Sequence, residues 1–508
     1  MLKKEFTLRE YQHAFNRNLA IAVKEHRRVI GCAATGAGKS KTFLTIASNA
    51  VKKGLTVLVI TESRKIYKQL IAEVHAFEIK PGSNPPIIKN RIYLAMAQTL
   101  RRRENLLKKF EELCENLLII NDECHINEAT NILLRLSAAL LIGFSGSPVG
   151  KHLVKLYNHL VVGPQPHQLV LEGFLSPYIH FERKRADISQ LELDNSGEYT
   201  ESSQERVFST DKVYEGLIED LNNTEFVWKK ALIFTSSIKH CEETAERLRA
   251  AGLKCVTVHS GLKEKEEYNL LQFTHGLIPI CVSVGILTKG FDYPPIDCIA
   301  ILRKTTSLAL YLQMIGRASR VLSGEEILPV AKRTKKYFTV FDYGQNVTRH
   351  LPWDFARDWQ ELWRTKPKAP GVSPIKVCPQ CNFVNTASAK TCAHCGYIWM
   401  TFQIQEEPEN IETILVQVTA KYNKLVGRNI SSLTASELAI YAKAKGVKNF
   451  AMVVAKRHVI NGDREFIKHF AVAMDYKWYW VKVQLDLIDA MQPEEREKAY
   501  KYKDFILQ

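Results

Sequence analysis

The sequence has no apolar run of the length that a membrane span needs. The nearest run, Leu136 to Phe144, is short and interrupted, whereas a spanning helix takes about 18 or more apolar residues in succession. Lysines near the amino terminus are not followed by an apolar stretch, so no secretory signal is indicated. We therefore expect a soluble, cytoplasmic protein, and its 508 residues predict two or more domains.

Acidic residues are fewer than basic residues. Lysine and arginine number 70 against 54 aspartates and glutamates, which gives a formal net charge of +16. A surplus of this size favours a polyanionic partner, through phosphate contacts and counterion release. Basic clusters occur at 101–103, 108–109 and 332–336, but each one alone is equally compatible with a solvated surface. The charge therefore favours a nucleic-acid partner only weakly.

A glycine-bearing turn lies between an apolar run and a helical pattern near the amino terminus. Its residues are Thr35-Gly36-Ala37-Gly38-Lys39-Ser40. A strand, a tight turn and a helix amino terminus aim backbone N–H groups at a polyphosphate. Lys39 would then reach the β- and γ-phosphates, and the Ser40 hydroxyl would bind Mg²⁺. Because Ala33 stands where the usual P-loop has its first glycine, this segment alone leaves an ordinary strand-to-helix turn as an alternative.

Two adjacent carboxylates end a second apolar run. Asp122 and Glu123 come directly after Leu117–Asn121, a run typical of a strand buried on both faces. We interpret Asp122 as a Mg²⁺ ligand and Glu123 as the group that orients or deprotonates an attacking water. A phosphate loop and, downstream of it, such an acidic strand end predict a nucleoside triphosphatase that uses ATP and Mg²⁺.

Short apolar runs alternate with helical patterns twice along the chain. The first series extends from Val29 to about Val162, and the second from Ala231 to Phe341. This alternation predicts βαβ units and a parallel sheet in each series. The predicted fold class is therefore α/β with two tandem parallel-sheet domains. Open sheets of this kind bind ligands at the carboxyl ends of their strands, where both motifs above fall.

Further motifs occur in a fixed order. They are Leu8–Gln12, Phe144–Pro148, Gly290–Asp292 and Gln313–Arg320. Together with the phosphate loop and the D-E-C-H box at 122–125, this set resembles the superfamily 2 helicases over roughly residues 8 to 350. The spellings look closest to restriction-subunit-like and repair or branch-migration helicases of bacteria and their phages. The resemblance implies RecA-like lobes at 1–180 and 226–366, joined by an inter-lobe segment at 181–225.

The same resemblance implies how the cleft would be completed. Gln12 would read the adenine, and Gly290 and Asp292 would close the nucleotide cleft from the second lobe. Arg317 and Arg320 would be arginine fingers. Two arginines three residues apart in a helix lie on one face, and a guanidinium suits the charge of a transferring phosphoryl group.

Four more residues are implied to couple ATP hydrolysis to nucleic acid, namely His125, Ser145, Ser147 and Gln313. The inter-lobe segment is too short for the large insertion of the RNA-sensing helicases that share this box. We therefore expect an ATP-dependent DNA helicase or translocase of replication, recombination or repair, acting on single-stranded or branched DNA. The alternatives are an RNA helicase and an ATP-driven remodelling subunit that does not unwind. Replication or recombination proteins are candidate partners.

Four of the 11 cysteines fall within 18 residues as two C-x-x-C knuckles. They are Cys378, Cys381, Cys392 and Cys395. Paired knuckles predict a tetrahedral zinc ribbon over 374–400, with iron as the minor alternative. Four protein ligands leave no open position for water, so the expected role is structural. We interpret the other seven cysteines, which sit in apolar surroundings, as structural too.

The region 405–508 is the least informative. Helical patterns at 436–445, 463–474 and 493–502 predict a mainly helical accessory region of unidentified fold. Cations at 443–457 and aromatics at 476–480 would suit a DNA strand, although aromatic clusters more often form the core of a small domain.

Overall fold

A computed structural model describes most of the two predicted lobes and part of the chain beyond them. The described residues are 2–3, 6–262, 264–285, 287, 290–322, 335–364, 375–386, 389, 391–398, 433–435, 437–438, 463–473 and 485. The chain divides into two compact units, Met1–Ala387 and Ser388–Gln508. The predicted helix at 493–502, most of that at 436–445 and the cations and aromatics at 443–457 and 476–480 lie outside the described residues. None of the described helices has both the length and the apolar character of a membrane span.

The first sheet lies within the continuously described range 6–262. Its strands are β1 (Arg28–Cys32), β2 (Thr56–Thr61), β3 (Phe77–Ile79), β4 (Ile92–Met96), β5 (Leu117–Asp122), β6 (Leu140–Ser145) and β7 (His159–Val162). They are arranged in the order β3-β4-β2-β5-β6-β1-β7, with every pairing parallel. Strand β5, which carries the acidic motif, is central and buried along its whole length. This is the environment that its unbroken apolar run predicts.

Helices connect these strands. They are α1 (Glu10–His26), α2 (Lys39–Lys52), α3 (Arg64–Glu73), α4 (Ala97–Leu100), α5 (Glu104–Glu112), α6 (Thr130–Arg135), α7 (Leu153–Leu156) and α8 (Pro166–Leu171), with 3₁₀ turns at Cys114–Asn116 and Asn127–Ala129. Helix α2 starts directly at the glycine turn. Helix α3 starts after Ser63, whose Oγ accepts a hydrogen bond from the Ile66 N–H at 3.4 Å and caps the helix. Both helices therefore begin at the carboxyl edge of the sheet.

A second parallel sheet lies further along the chain. Among the described residues its strands are β8 (Tyr178–Glu182), β9 (Ala231–Phe234), β10 (Cys255–Val258), β11 (Ile280–Ser283), β12 (Cys298–Ile301) and β13 (Phe338–Asp342), in the order β10-β11-β9-β12-β13-β8. All five pairings are parallel. Its helices are α9 (Glu201–Phe208), α10 (Asp211–Asn222), α11 (Ile238–Ala250), α12 (Glu264–Thr274), α13 (Leu308–Gly316), α14 (Asn346–His350) and α15 (Trp359–Arg364), with 3₁₀ turns at Ile188–Gln190 and Ser260–Leu262. The predicted α/β fold with two parallel sheets is confirmed.

The second sheet includes a strand that the sequence pattern did not indicate. Strand β8 spans the predicted lobe boundary at residue 180 and pairs with β13. Polar and apolar residues alternate in it (Tyr-Ile-His-Phe-Glu), so it has no apolar run of the kind that marks the other strands. The segment predicted to join the lobes also packs on this sheet, because Phe208, Val213 and Leu217 of α9 and α10 lie in its core.

After β13 the chain returns to the first lobe through residues 351–364, which we call the return segment. Gln165 and Arg357 bond reciprocally, since Gln165 Nε2 donates to the Arg357 carbonyl and the Arg357 N–H donates to Gln165 Oε1, both at 2.9 Å. Gln360 Nε2 donates to the Leu160 carbonyl at 2.9 Å. Trp363 is 3% exposed and lies in the core that includes the first sheet. The return segment is thus a second connection between the lobes.

Removing the Trp363 side chain should destabilise the protein. We expect Trp363→Ala to lower the free energy of unfolding by about 3–5 kcal/mol, because it leaves a cavity where a buried indole packed. Denaturant unfolding of this variant beside Glu361→Ala, an exposed position of the same helix, measures the difference. Equal midpoints for the two variants would show that the return segment is not part of the cooperative core.

Beyond the lobes, the described elements are a small antiparallel hairpin and one helix. The hairpin pairs β14 (Ile375–Val377) with β15 (Val384–Thr386) and carries the first cysteine knuckle. The helix, α16 (Arg464–Ala473), falls within the predicted helical pattern at 463–474.

Candidate active site

The glycine turn wraps the amino terminus of α2. Gly36 and Gly38 have φ values of +91° and +79°, a left-handed conformation that residues with a side chain rarely adopt. A Cβ on Gly38 would also stand 2.6 Å from Gln12 Nε2. Ala33, by contrast, is not among the residues with positive φ. An alanine is therefore tolerated where the usual P-loop has its first glycine.

Asp122 and Glu123 lie directly across from this turn. Asp122 ends β5, is 3% exposed and accepts a hydrogen bond from Thr61 Oγ1 at 3.3 Å. Glu123 has a φ of +51°, a conformation that is uncommon for a residue with a side chain and that tends to cluster at functional sites. Its two carboxylate oxygens lie 3.5 Å from Lys39 Nζ and 3.4 Å from His125 Nδ1.

The electrostatics of the two carboxylates differ. Burial, reinforced by the neighbouring Glu123 charge, raises the pKa of Asp122 to about 7. Burial also acts to raise the pKa of Glu123, but Lys39, His125 and Arg317 together outweigh it and hold that pKa below its usual value. Asp122 and Ser40 both line the cleft, and carboxyl and hydroxyl oxygens are hard donors of the type that Mg²⁺ prefers. The residues present therefore fit the predicted metal ion.

The second lobe contributes the opposite wall. Arg320 Nη2 lies 3.0 Å from Asp292 Oδ2, and Arg317 donates through Nη1 to the Phe291 carbonyl. Burial lowers the pKa of Arg317 to about 10, although the Glu123 charge acts to raise it. At that value the guanidinium still carries its positive charge at neutral pH, close to Glu123.

Glycines mark the places where the two lobes touch. A Cβ on Gly316 would stand 2.6 Å from Thr35 Cγ2, and one on Gly290 would stand 2.8 Å from Ile66 Cγ1. Neither distance is compatible with a side chain. The sequence therefore has glycine where the second lobe must approach the first most closely.

The expectation that Arg317 and Arg320 share one helix face is wrong. Helix α13 ends at Gly316, so Arg317 is its C-cap residue and Arg320 lies beyond it. The Ser176 N–H donates to the Ser319 carbonyl at 2.7 Å, and Ser176 Oγ donates to the Arg320 carbonyl at 2.9 Å. These bonds hold the chain in an extended path next to Leu175, with which Arg320 forms a β-bridge. Both arginines nevertheless line the cleft.

The cleft between the lobes has a volume of about 190 Å³. Of the residues predicted for nucleotide binding and catalysis, those that line it are Gln12, Thr35, Gly36, Ala37, Gly38, Lys39, Ser40, Asp122, Glu123, Gly290, Asp292, Arg317 and Arg320. Gln12 is bonded to the phosphate loop itself. Its Nε2 donates to the Ala37 and Gly38 carbonyls at 3.1 and 3.3 Å, while its Oε1 accepts from the Arg9 N–H at 2.9 Å.

The predicted coupling residues lie behind the acidic motif. His125 Nδ1 is 2.9 Å from Ser145 Oγ, which also accepts a hydrogen bond from the Ser147 N–H at 3.0 Å. A chain of contacts thus joins Glu123 to the end of β6 through His125. Gln313 is buried within α13. Its implied role in coupling stays a prediction.

Several residues that line the cleft were not assigned a role from the sequence. Thr7, Arg9 and Tyr11 precede or open α1, and Gln69 and Glu73 lie on α3. The spacing of Gln69 and Glu73 is that of neighbours on one helix face, which was an available signal. Nothing in the sequence alone showed that this face lines the cleft.

The four cysteines of the two knuckles converge. The Sγ atoms of Cys378, Cys381, Cys392 and Cys395 all lie within 4.8 Å of one another. Four thiolates in such a cluster are compatible with zinc. Each of the other seven cysteines is buried, and they are Cys32, Cys114, Cys124, Cys241, Cys255, Cys281 and Cys298.

Replacing one of the four ligands should release the metal. We expect Cys381→Ser to lose about one zinc ion per chain and to unfold the ribbon, because metal binding there is coupled to folding. Metal analysis of the purified protein provides the measurement, with Cys114→Ser as a thiol control. Wild-type protein with neither zinc nor iron would contradict the ribbon assignment.

Two sequence families match the parts of the chain that form the cleft. Residues 5–150 match the res subunit of type III restriction enzymes, and residues 214–322 match the helicase conserved C-terminal domain. The chain belongs to the superfamily 2 helicases. It is therefore an ATP-dependent, nucleic-acid-dependent motor, as expected from the ordered motifs.

Relatives of this superfamily 2 helicase are distant in sequence. It is 25% identical over 389 residues to a 51.5 kDa protein of Lactococcus phage (isolate 7-9), covering 74% of this chain and 78% of that protein. It is also 25% identical over 348 residues to a Saccharomyces cerevisiae protein named as the ATP-dependent helicase IRC3, covering 62% of this chain and about half, 49%, of the yeast protein. A solved fragment of an HsdR subunit of a type I restriction enzyme from Vibrio vulnificus shares the fold, with a TM-score of 0.53 and 20% identity over 68% of this chain and 66% of that one.

Proposed function

We propose that this helicase acts on DNA, as an ATP-driven helicase or translocase of replication, recombination or repair. The observation that carries the proposal is the match of residues 5–150 to a restriction-enzyme subunit, because restriction enzymes act on DNA. The formal charge of +16 supports a polyanionic partner but does not distinguish DNA from RNA. The length of the inter-lobe segment also favours DNA, since it leaves no room for a large RNA-sensing insertion.

In the proposed mechanism the first lobe holds the nucleotide. Lys39 would bind the β- and γ-phosphates, while Ser40 and Asp122 would hold Mg²⁺, which when bound neutralises charge on the phosphates. Glu123 would orient the attacking water and accept its proton. The contacts of Glu123 with Lys39 and His125 help to hold its pKa below the usual value. The carboxylate is therefore ionised, the form in which it can orient the water and take up a proton.

The second lobe would complete the site. Arg317 and Arg320 belong to the second lobe, which touches the first at Thr35 and Gly316, and they would leave the phosphate loop if this contact opened. Hydrolysis would then require closure, and the contact of His125 with Ser145 would pass the nucleotide state to the nucleic-acid face. This dependence of chemistry on lobe closure is what converts ATP hydrolysis into movement along a strand.

The test is a side-by-side comparison of nucleic acids as stimulators of the ATPase. Steady-state rates are measured with single-stranded DNA, duplex, forked DNA, a four-way junction and RNA of matched sequence. We expect at least one of the DNA substrates to stimulate hydrolysis to a rate well above the rate with RNA. Stimulation by RNA alone would assign the chain to the RNA helicases, and stimulation by none would favour a remodelling subunit.

A further inference from the structure

One face of α3 lines the nucleotide cleft. Ile66, Gln69 and Glu73 are spaced three and four residues apart, so they share a helix face, and all three line the cleft. Ile66 is also the residue that Gly290 of the second lobe approaches. Gln69 and Glu73 have no part in the proposed chemistry.

One carboxylate oxygen of Glu73 is buried and accepts no hydrogen bond from the described residues. Gln69 Nε2 donates to Glu73 Oε1 at 3.3 Å and so fixes the carboxylate. The other oxygen, Oε2, is buried and has no hydrogen-bond partner within the described part of the chain. An unpaired buried acceptor is costly, which makes a donor from a ligand a natural partner for it.

The position of Glu73 identifies the part of the nucleotide that it would meet. The Lys3 N–H donates to the Glu73 carbonyl at 2.9 Å, and Leu2 forms a β-bridge with Val74. Further along the chain, Gln12 is bonded to the phosphate loop. Thr7, Arg9 and Tyr11 line the same cleft as Glu73 and Lys39. A nucleotide whose phosphates lie at Lys39 would extend its nucleoside into the rest of this cleft, which Glu73 lines.

Gln12 already forms hydrogen bonds within the protein, so another residue is needed to recognise the nucleoside. Both polar atoms of its side chain are engaged with the protein, at the Ala37 and Gly38 carbonyls and the Arg9 N–H. In this arrangement Gln12 holds the phosphate loop in place by hydrogen bonds. A carboxylate at Glu73 instead accepts from any O–H or N–H donor on the nucleoside.

We propose that Glu73, held in place by Gln69, accepts a hydrogen bond from the nucleoside of the bound nucleotide. The donor is either a ribose hydroxyl or the exocyclic amino group of adenine, which present the same chemistry to a carboxylate. Glu73 is then a specificity-determining residue of the ATPase. This inference rests on the proposed nucleotide site, and it adds a selection among nucleotides that the phosphate contacts do not provide.

The test compares nucleotide affinities by equilibrium binding, with no turnover required. Dissociation constants of ADP, 2′-deoxyADP, 3′-deoxyADP and IDP are measured for wild type, Glu73→Ala, Glu73→Gln and the control Glu112→Ala, an exposed glutamate of α5. IDP replaces the amino group with a carbonyl. We expect wild type to bind one of the three analogues about tenfold or more weakly than ADP, because a hydrogen bond to a charged acceptor is lost.

The variants decide whether Glu73 is the cause. Glu73→Ala should bind ADP and that analogue equally, while Glu73→Gln, which keeps a carbonyl acceptor, should retain part of the preference and Glu112→Ala all of it. The analogue that binds more weakly shows whether the donor is a ribose hydroxyl or the amino group of adenine. Equal affinity of wild type for all four nucleotides, or an unchanged preference in Glu73→Ala, overturns the inference. If Lys39→Ala binds ADP as well as wild type does, the proposed nucleotide site itself fails, and this separates the two failures.

Discussion

Replacing Glu123 by glutamine should lower the rate of ATP hydrolysis by about a hundredfold to ten-thousandfold, the usual effect of removing a general base. The amide keeps the size of the side chain but cannot accept the proton of the attacking water. ATP should still bind, because Lys39 and the glycine turn are untouched. Single-turnover hydrolysis together with equilibrium binding of ATP gives both quantities for the same protein.

A matched control separates this effect from a general loss of charge. Glu112→Gln makes the same chemical change at an exposed position of α5, and it should hydrolyse ATP as wild type does. Lys39→Ala is the complementary variant, since it should lose binding as well as turnover. Near wild-type hydrolysis by Glu123→Gln would remove Glu123 from the role of base.

Replacing Arg320 by alanine should reduce nucleic-acid-stimulated hydrolysis by about a thousandfold if it acts as an arginine finger. Its guanidinium reaches the cleft from the second lobe, beside Asp292 and opposite Gly36. The first lobe alone should still bind ATP. The measurement is the ATPase rate with and without DNA, together with the affinity for DNA in the ATP-bound and ADP-bound states, which should no longer differ.

Arg349→Ala is the control for this prediction, because Arg349 is an exposed arginine of α14 in the same lobe. It should keep the stimulation by DNA. Arg317→Ala tests the neighbouring guanidinium, which lies closer to Glu123 and should also be deficient. If the variants at 317 and 320 both keep DNA-stimulated turnover, hydrolysis does not depend on the second lobe.

The fold was predictable from sequence wherever strands are buried on both faces. Apolar runs such as Leu117–Ile120 mark central strands, because a strand covered on both faces needs apolar residues throughout. Apolar runs did not mark β8, in which polar and apolar residues alternate, or the short edge strand β3. Edge positions bury fewer side chains, so they leave a weaker trace in the sequence.

The sequence predicted many of the residues that line the cleft, but it did not predict how they are arranged. Motif order indicated that Lys39, Glu123 and Arg320 would meet, and they line one cleft. The extended path of Ser319 and Arg320 after α13 was not predictable, because their carbonyls accept hydrogen bonds from Ser176, a residue more than 130 positions earlier in the chain. The contribution of α3 was likewise hidden, since nothing local records which helix faces a distant loop.

The most direct test of the central claim is translocation on single-stranded DNA, measured as ATP-dependent displacement of streptavidin from a biotinylated end. We expect displacement by the wild-type protein with ATP, none with a non-hydrolysable analogue, and none by Lys39→Ala or Arg320→Ala. Each variant is checked for DNA binding, so that a loss of movement is not a loss of contact. Robust DNA-stimulated hydrolysis without any displacement from either end would contradict the claim that lobe closure moves this protein along a strand.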